Sequence, residues 1–266
     1  MTAVSDEIDS FAARLVPRAV RKGWTSLRGG LVVLVIWQLA ITAFDPPRYL
    51  LPAPLAVADT LVTRLSFLAE NAATTLAEAI LGLVLGTLAG VLSGAAVVGF
   101  PRFGALAWPV LLVLQAIPVF ALAPLLVIWF GFGMASKIVM AALILFFPVA
   151  SAFADGLRRT DAALIEVAEL AGASRFQTFR WVRIPLAVPA FVTGLRVAAP
   201  LAPLGAVIGE WVGASGGLGF VMIQANARMQ TEIMFAAIVL LAAMTLVLRF
   251  LVDAIAARLT PWAVER

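Results

Sequence analysis

Residues 155–189 read DGLRRTDAALIEVAELAGASRFQTFRWVRIPLAVP, a charged, helix-forming island inside an otherwise apolar chain. Hydrophobic residues make up 63% of the 266 and charged residues 13%. A soluble domain of ordinary composition carries about 25% charged residues. Stretches on either side of the island approach the roughly 20 apolar residues needed to cross a bilayer. The composition therefore predicts an all-α polytopic membrane protein, with the island as a loop between spans.

Six apolar segments fall near residues 29–44, 75–99, 105–130, 138–154, 188–209 and 233–253. They divide the chain into an N-terminal segment, 1–28, and a transmembrane domain, 29–266, that contains the island as a loop over 155–187. Residues 1–28 hold Arg14, Arg18, Arg21, Lys22 and Arg28 and read as a surface helix or a basic tail. Asp6, Glu7 and Asp9 precede that cluster and no small-residue cleavage site follows the first apolar run, so the run reads as a retained span. With the N-terminus inside, cytoplasmic segments collect most of the arginines, including Arg102, Arg158, Arg159, Arg175, Arg180, Arg183 and Arg258. The outer segments hold only Arg48, Arg64, Lys137 and Arg228. This asymmetry predicts both termini in the cytoplasm, and the island with them.

The chain has no cysteine and no histidine. Disulfides and thiolate metal sites are excluded, and the commonest general base and metal ligand are missing. The excess of basic residues follows membrane topology and does not indicate a nucleic-acid partner. Neither lysine, Lys22 nor Lys137, completes a phosphate-binding GxxxxGK[ST] loop. If ATP drives this chain, another subunit binds it.

Local chemistry within the island predicts a helix, a hinge and a second helix. Thr160 or Asp161 can cap the first helix. Ala162 to Ala171 are mostly strong helix formers, and Gly172 stands where a left-handed residue ends a helix. Ser174 and Gln177 fit a capping box for the second helix. That helix is expected to reach about Arg183 and to stop before Pro185. Leu164, Ile165, Ala168, Phe176 and Phe179 offer an apolar face for helix-in-groove docking, while Glu166, Glu169, Arg175 and Arg180 orient it. A merely solvated charged loop is the competing reading of the residues alone.

Glu166-Val167-Ala168, Gly172, and then Val182-Arg183-Ile184-Pro185 after nine residues resemble the EAA loop of bacterial ABC-importer permeases, EAA-x3-G-x9-I-x-L-P. Val167, Val182 and Ile184 depart from the pattern but keep its type. Leu51-Pro52-Ala53-Pro54, Ile117-Pro118 with Leu122-Ala123-Pro124-Leu125, 129–133 (WFGFG), Phe146-Phe147-Pro148 and Gly194-Leu195-Arg196 extend the likeness to permeases of the nitrate, sulfonate and taurine type. Residues 225–231 (ANARMQT) look most like permeases for thiamine pyrimidine precursors.

The resemblance implies a non-catalytic permease of the bacterial inner membrane that needs no cofactor. It implies an ATP-binding subunit docked at Glu166, Ala168, Gly172, Arg175, Phe176 and Pro185, a periplasmic or extracellular substrate-binding protein, and a permease homodimer within membrane lipid. The imported solute would be a pyrimidine precursor such as hydroxymethylpyrimidine, or else a sulfonate, taurine or nitrate. The alternative is a secondary transporter or channel with no ATPase; its coupling charges should lie deep in the spans, whereas here charge concentrates in one loop.

Candidate pathway residues follow from composition. Pro109, Pro118 and Pro124 interrupt the third span, and broken helices often line pathways, which selects Gln115, Pro118 and Phe120. Glu210 beside Trp211 sits at the outer end of the fifth span, in reach of substrate or of the membrane interface. Gly82, Gly86, Gly90 and Gly94 recur every fourth residue and predict a close helix contact. The cluster Gly213-Ala214-Ser215-Gly216-Gly217-Leu218-Gly219 predicts tight turns, and Arg249 and Asp253 predict an i,i+4 pair.

Overall fold

A computed structural model describes residues 18–262, and its elements are α-helices joined by short 3₁₀ and π turns. The expectation for residues 1–17 lies outside the described residues. The chain divides into a unit ending at Asp59 and a second beginning at Thr60.

In the first unit, α1 (Arg18–Phe44) carries the apolar stretch 29–44. Asp45 follows it with φ 39, a conformation that Asp tolerates better than most residues. The Trp37 indole donates to the Pro52 carbonyl at 3.1 Å, which folds the proline-rich entry back onto α1. Helix α2 (Pro54–Thr63) begins on proline, whose missing N–H costs nothing in a first turn. Helix α3 starts at Leu65, after Arg64, and runs unbroken to Gly99.

Helix α3 has 35 residues, about 50 Å at 1.5 Å per residue, and its first ten lie ahead of the expected start. Helix α4 (Pro101–Ala116) is followed by a 3₁₀ turn, Val119–Leu122, and by α5 (Ala123–Phe130) at an angle of 86°. The break falls at Ile117-Pro118. Ile117 is extended, φ −72 and ψ 124, as a residue before proline prefers. Pro109 stays inside α4 and Pro124 sits in the first turn of α5, so of the three prolines only Pro118 breaks the span.

Helix α6 (Met134–Arg158) is the centre of the second unit and packs against α3, α5 and the two helices that follow the island. Its contact with α3 uses the glycine stripe. A Cβ at Gly86 would lie 2.8 Å from the Ala142 carbonyl oxygen, and one at Gly94 2.9 Å from that of Ala150. Small residues thus let the two backbones meet, which is how helices associate when lipid offers no hydrophobic drive. Met140, Leu145, Val149 and Ala150 are fully buried along α6.

The island begins with α7 (Ala162–Leu170). Then α8 (Arg175–Thr178), a π turn Phe179–Arg183, α9 (Ile184–Ala198), a 3₁₀ turn Ala199–Leu201 and α10 (Ala202–Gly213) form one helical run of 39 residues. The sequence expectation that Pro185 stops the second helix is overturned. Ile184 is helical, φ −59 and ψ −52. Proline inside an α-helix is disfavoured by its lost N–H and by its clash with the carbonyl four residues back. The π turn places Pro185 in the first turn of α9, where neither penalty applies in full. Helices α11 (Leu218–Ala227) and α12 (Thr231–Leu259) complete the chain.

Helices α3, α6, the 175–213 run and α12 are each long and apolar enough to cross a membrane; the bent α4–α5 pair makes a fifth candidate, and 29–44 is a shorter apolar helix. All six apolar segments read from sequence are helical.

Candidate functional site

Residues 161–185, called the coupling element for the role the sequence leads one to expect of them, are assembled from their own signals. Of the two cap candidates, Asp161 serves, its carboxylate accepting from the Ala163 N–H at 2.9 Å. The carbonyls that end α7 are closed by Gly172 N–H to Glu169 and Ala173 N–H to Ala168, both at 2.9 Å. Gly172 has φ +80 with open space around it, so backbone conformation and not crowding demands glycine there. Ser174 and Gln177 form both halves of the capping box. The Ser174 N–H donates to the Gln177 side chain at 2.7 Å and the Gln177 N–H to the Ser174 hydroxyl at 3.3 Å.

With its backbone satisfied internally, the element turns apolar side chains outward. Leu170 is 89% exposed, Phe176 73% and Trp181 70%. Glu166, Gly172 and Arg175 are exposed, whereas Ala168 and Pro185 are half-buried. Phe179 faces inward with Ile184 onto Phe153, Leu157 and Ala187, and so roots the element in the bundle. Arg158 at the end of α6 stacks over Trp108 of α4, 4.6 Å from the ring centre. This joins the start of the loop to the bent segment.

At the other end of the bundle lies a buried polar cluster. Glu210 on α10 is 1% exposed. Its carboxylate accepts from the Thr75 hydroxyl at 2.6 Å and from the Gly219 N–H in the first turn of α11. Thr75 also accepts from the Leu218 N–H at 2.8 Å, and Asn71 from the Gly217 N–H at 2.8 Å. A Cβ at Gly217 or Gly219 would strike the Glu210 carboxylate. The glycine cluster is therefore a nest of N–H groups at a helix N-terminus, and the chain's own carboxylate fills it.

Lys137, which sequence alone places in an outer loop, is 1% exposed on α6. Its ammonium donates to the carbonyls of Phe132, at 2.6 Å, and Gly213. Glu78 lies against Glu210 and Lys137, is 3% exposed, and has one carboxyl oxygen without a hydrogen-bond partner. Buried charges of this kind persist only when paired and hydrogen-bonded. Glu210 thus ties α3, α10 and α11 together and presents no face to solvent, while its neighbour Trp211 is 49% exposed. Gln115, Pro118 and Phe120 are all exposed around the break between α4 and α5. Sequence reasoning misses the pairing of Thr75, Asn71 and Lys137 with this site; the available signal is polar residues in apolar segments together with an unexplained glycine cluster.

A second charged group spans α9 and α12. Asp253 pairs with Arg196 at 2.9 Å and with Arg249 at 3.1 Å, and Arg249 also donates to the Arg196 carbonyl at 2.8 Å. The expected i,i+4 pair is present with Arg196 as a third member. Among the described residues no cluster of His, Cys, Asp and Glu fit to hold a metal is found.

Residues 82–263 match the family described as "Binding-protein-dependent transport system inner membrane component". A probable ABC transporter permease protein of Haemophilus influenzae is 50% identical over 84% of this chain and 91% of its own length. Two relatives at 36% identity carry different solutes in their names. The formylaminopyrimidine transport permease protein ThiX of Halalkalibacterium halodurans aligns over 76% of this chain and 79% of itself. The riboflavin transport system permease protein RibX of Chloroflexus aurantiacus aligns over 87% of each. Among solved structures, an inward-facing form of the MetNI methionine ABC transporter superposes with a TM-score of 0.65 over 74% of this chain and 98% of that one, at 22% identity, a likeness of fold. Family match, relatives and fold agree: the chain belongs to the binding-protein-dependent inner membrane components, the permease subunits of ABC importers.

Proposed function

We propose that residues 161–185 seat an ATP-binding subunit and that the chain, paired with a second copy, moves a small organic solute inward by alternating access. The observation that carries this reading is a loop that satisfies its own backbone while exposing Leu170, Phe176 and Trp181. An exposed apolar helical face of this kind suits a partner's groove. Glu166 and Arg175 orient the docking, Gly172 sets the angle between the helices, and Ala168 and Pro185 support the face from within. ATP binding drives the cycle to the extent that it favours one arrangement of the bundle over the other. The permease performs no chemistry. Arginine distribution supports both termini and the loop in the cytoplasm, with a substrate-binding protein delivering solute outside.

The solute reading is a thiamine pyrimidine precursor. Residues 225–231 and the likeness to a formylaminopyrimidine permease support it. Gln115, Pro118, Phe120 and Trp211 are the exposed residues that would line its path, and Glu210 acts on that path through the loop it holds. Co-purification in mild detergent tests the docking. Wild-type chain should retain an ATP-binding subunit in equal amount, and Gly172→Val should lose it while remaining inserted, since a β-branched residue resists φ +80. Retention by that variant, or ATP-independent uptake by the reconstituted chain alone, would count against the reading. Uptake of labelled hydroxymethylpyrimidine against taurine by the reconstituted complex decides the solute.

A further inference from the structure

Two cavities meet on the inner end of α3. One, of about 660 Å³, lies between residues 92–101 and the coupling element, and its rim carries Glu169, Arg175, Thr178 and Arg183. The other, of about 500 Å³, lies between α3 and α4 and is lined by apolar side chains and Ser93. Both volumes fall within the roughly 300–1,000 Å³ of ligand pockets. The cavities share Leu92 and Ala96, and so form one forked cleft with a polar mouth and two apolar arms.

We propose that this cleft holds an anionic phospholipid of the cytoplasmic leaflet, its phosphate at the mouth and one acyl chain in each arm. The proposal rests on the reading that the coupling element faces the cytoplasm. Depth is the first reason. Leu92 lies seven residues before the helix end at Gly99, about 10 Å along the axis. The arms therefore run back along a membrane-spanning helix, where a soluble subunit does not reach and lipid does. Charge is the second. Arg175 and Arg183 outnumber Glu169 at the rim, and none of the three enters a described ion pair. Basic groups at the cytoplasmic end of a span attract anionic headgroups.

The third reason is an unused donor. Thr178 is 5% exposed and its hydroxyl has no hydrogen-bond partner. In an ordinary helix a threonine hydroxyl bonds back to the carbonyl four residues earlier, as Thr193 and Thr245 do here. Thr178 stands immediately before the π turn, and such turns often mark functional positions. A phosphate or glycerol-ester oxygen at the mouth would complete its hydrogen bonding. The lipid would then brace the coupling element against α3, with Phe179 packed behind it.

Native mass spectrometry of the permease–ATPase complex, released from nanodiscs of equal phosphatidylglycerol and phosphatidylethanolamine, tests this. One phosphatidylglycerol per permease chain should survive release in the wild type. Retention should fall roughly tenfold or more in Arg183→Gln, which spares the docking residues; that fall is the worth of a hydrogen bond to a charged group. Leu92→Trp, which fills the fork without touching the mouth, should also expel it. Equal retention in both variants, equal retention of phosphatidylethanolamine, or lipid bound only when the ATPase is absent would each overturn the proposal; the last would make the cleft a protein interface. The same spectra count ATPase subunits. Lipid lost with the ATPase retained in wild type sinks only the lipid site, whereas an ATPase never bound beside a retained lipid sinks only the docking reading.

Discussion

The coupling element and the buried polar cluster sit at opposite ends of the second unit and solve opposite problems. The element keeps its charges in solvent, closes its backbone with local caps, and leaves large apolar side chains uncovered. The cluster buries two carboxyl groups and an ammonium, and holds Glu210 and Lys137 with hydroxyl, N–H and carbonyl partners from three helices and the loop at Phe132. A surface built for a partner must be complete without that partner yet apolar toward it. A cluster built to fix helices draws its strength from groups that cannot be satisfied unless the helices are in place. The first is tuned by single residues close in sequence; the second fails as a unit.

Substitutions should separate the two. The largest effect is expected from Lys137→Met, which leaves two carboxyl groups without their buried cation and two carbonyls without a donor. Losing a hydrogen bond from a charged donor typically costs about 1.5–3 kcal/mol and two are lost here, so the variant's melting temperature in detergent should drop sharply and its expression with it. Wild-type melting would remove the cluster's structural role. Glu210→Gln keeps the shape but places an amide against the N–H nest and should cost about 1–3 kcal/mol. Limited proteolysis should then cut first within 213–219, with solute uptake reduced while the ATPase stays bound; loss of the ATPase instead would mean that the two ends are not separable. Ser174→Ala should cost least, about 1 kcal/mol for a lost helix cap. It should weaken ATPase retention while lowering the melting temperature by no more than about 2–4 °C, and a larger drop would show that the element is part of the bundle's own stability.

The sequence discloses the two regions unequally, and for a physical reason. Asp161, Gly172 and the Ser174–Gln177 box act within three or four residues of themselves, so each is legible in the chain alone. Pro185 is misleading as a stop because the π turn, whose Phe179 packs with Ile184 on the core, places that proline in the first turn of a new helix. The buried polar cluster joins Thr75 to Glu210, 135 residues apart, and no local pattern announces such a pairing. The glycine stripe and the broken third span lie between these extremes: a period of four residues and a proline are local signals, but their partners are not.

From Arg175 to Gly213 the chain makes 39 helical residues with turns of varied pitch but no loop. Its near end lies in the element proposed to dock the ATP-binding subunit, and the carbonyl of its last residue is held by Lys137. A connecting rod of this kind has no slack to take up. If a docked subunit displaces the element, the rod would deliver that displacement to its far end as motion of a clamped joint, with the Lys137–Gly213 contact as the clamp.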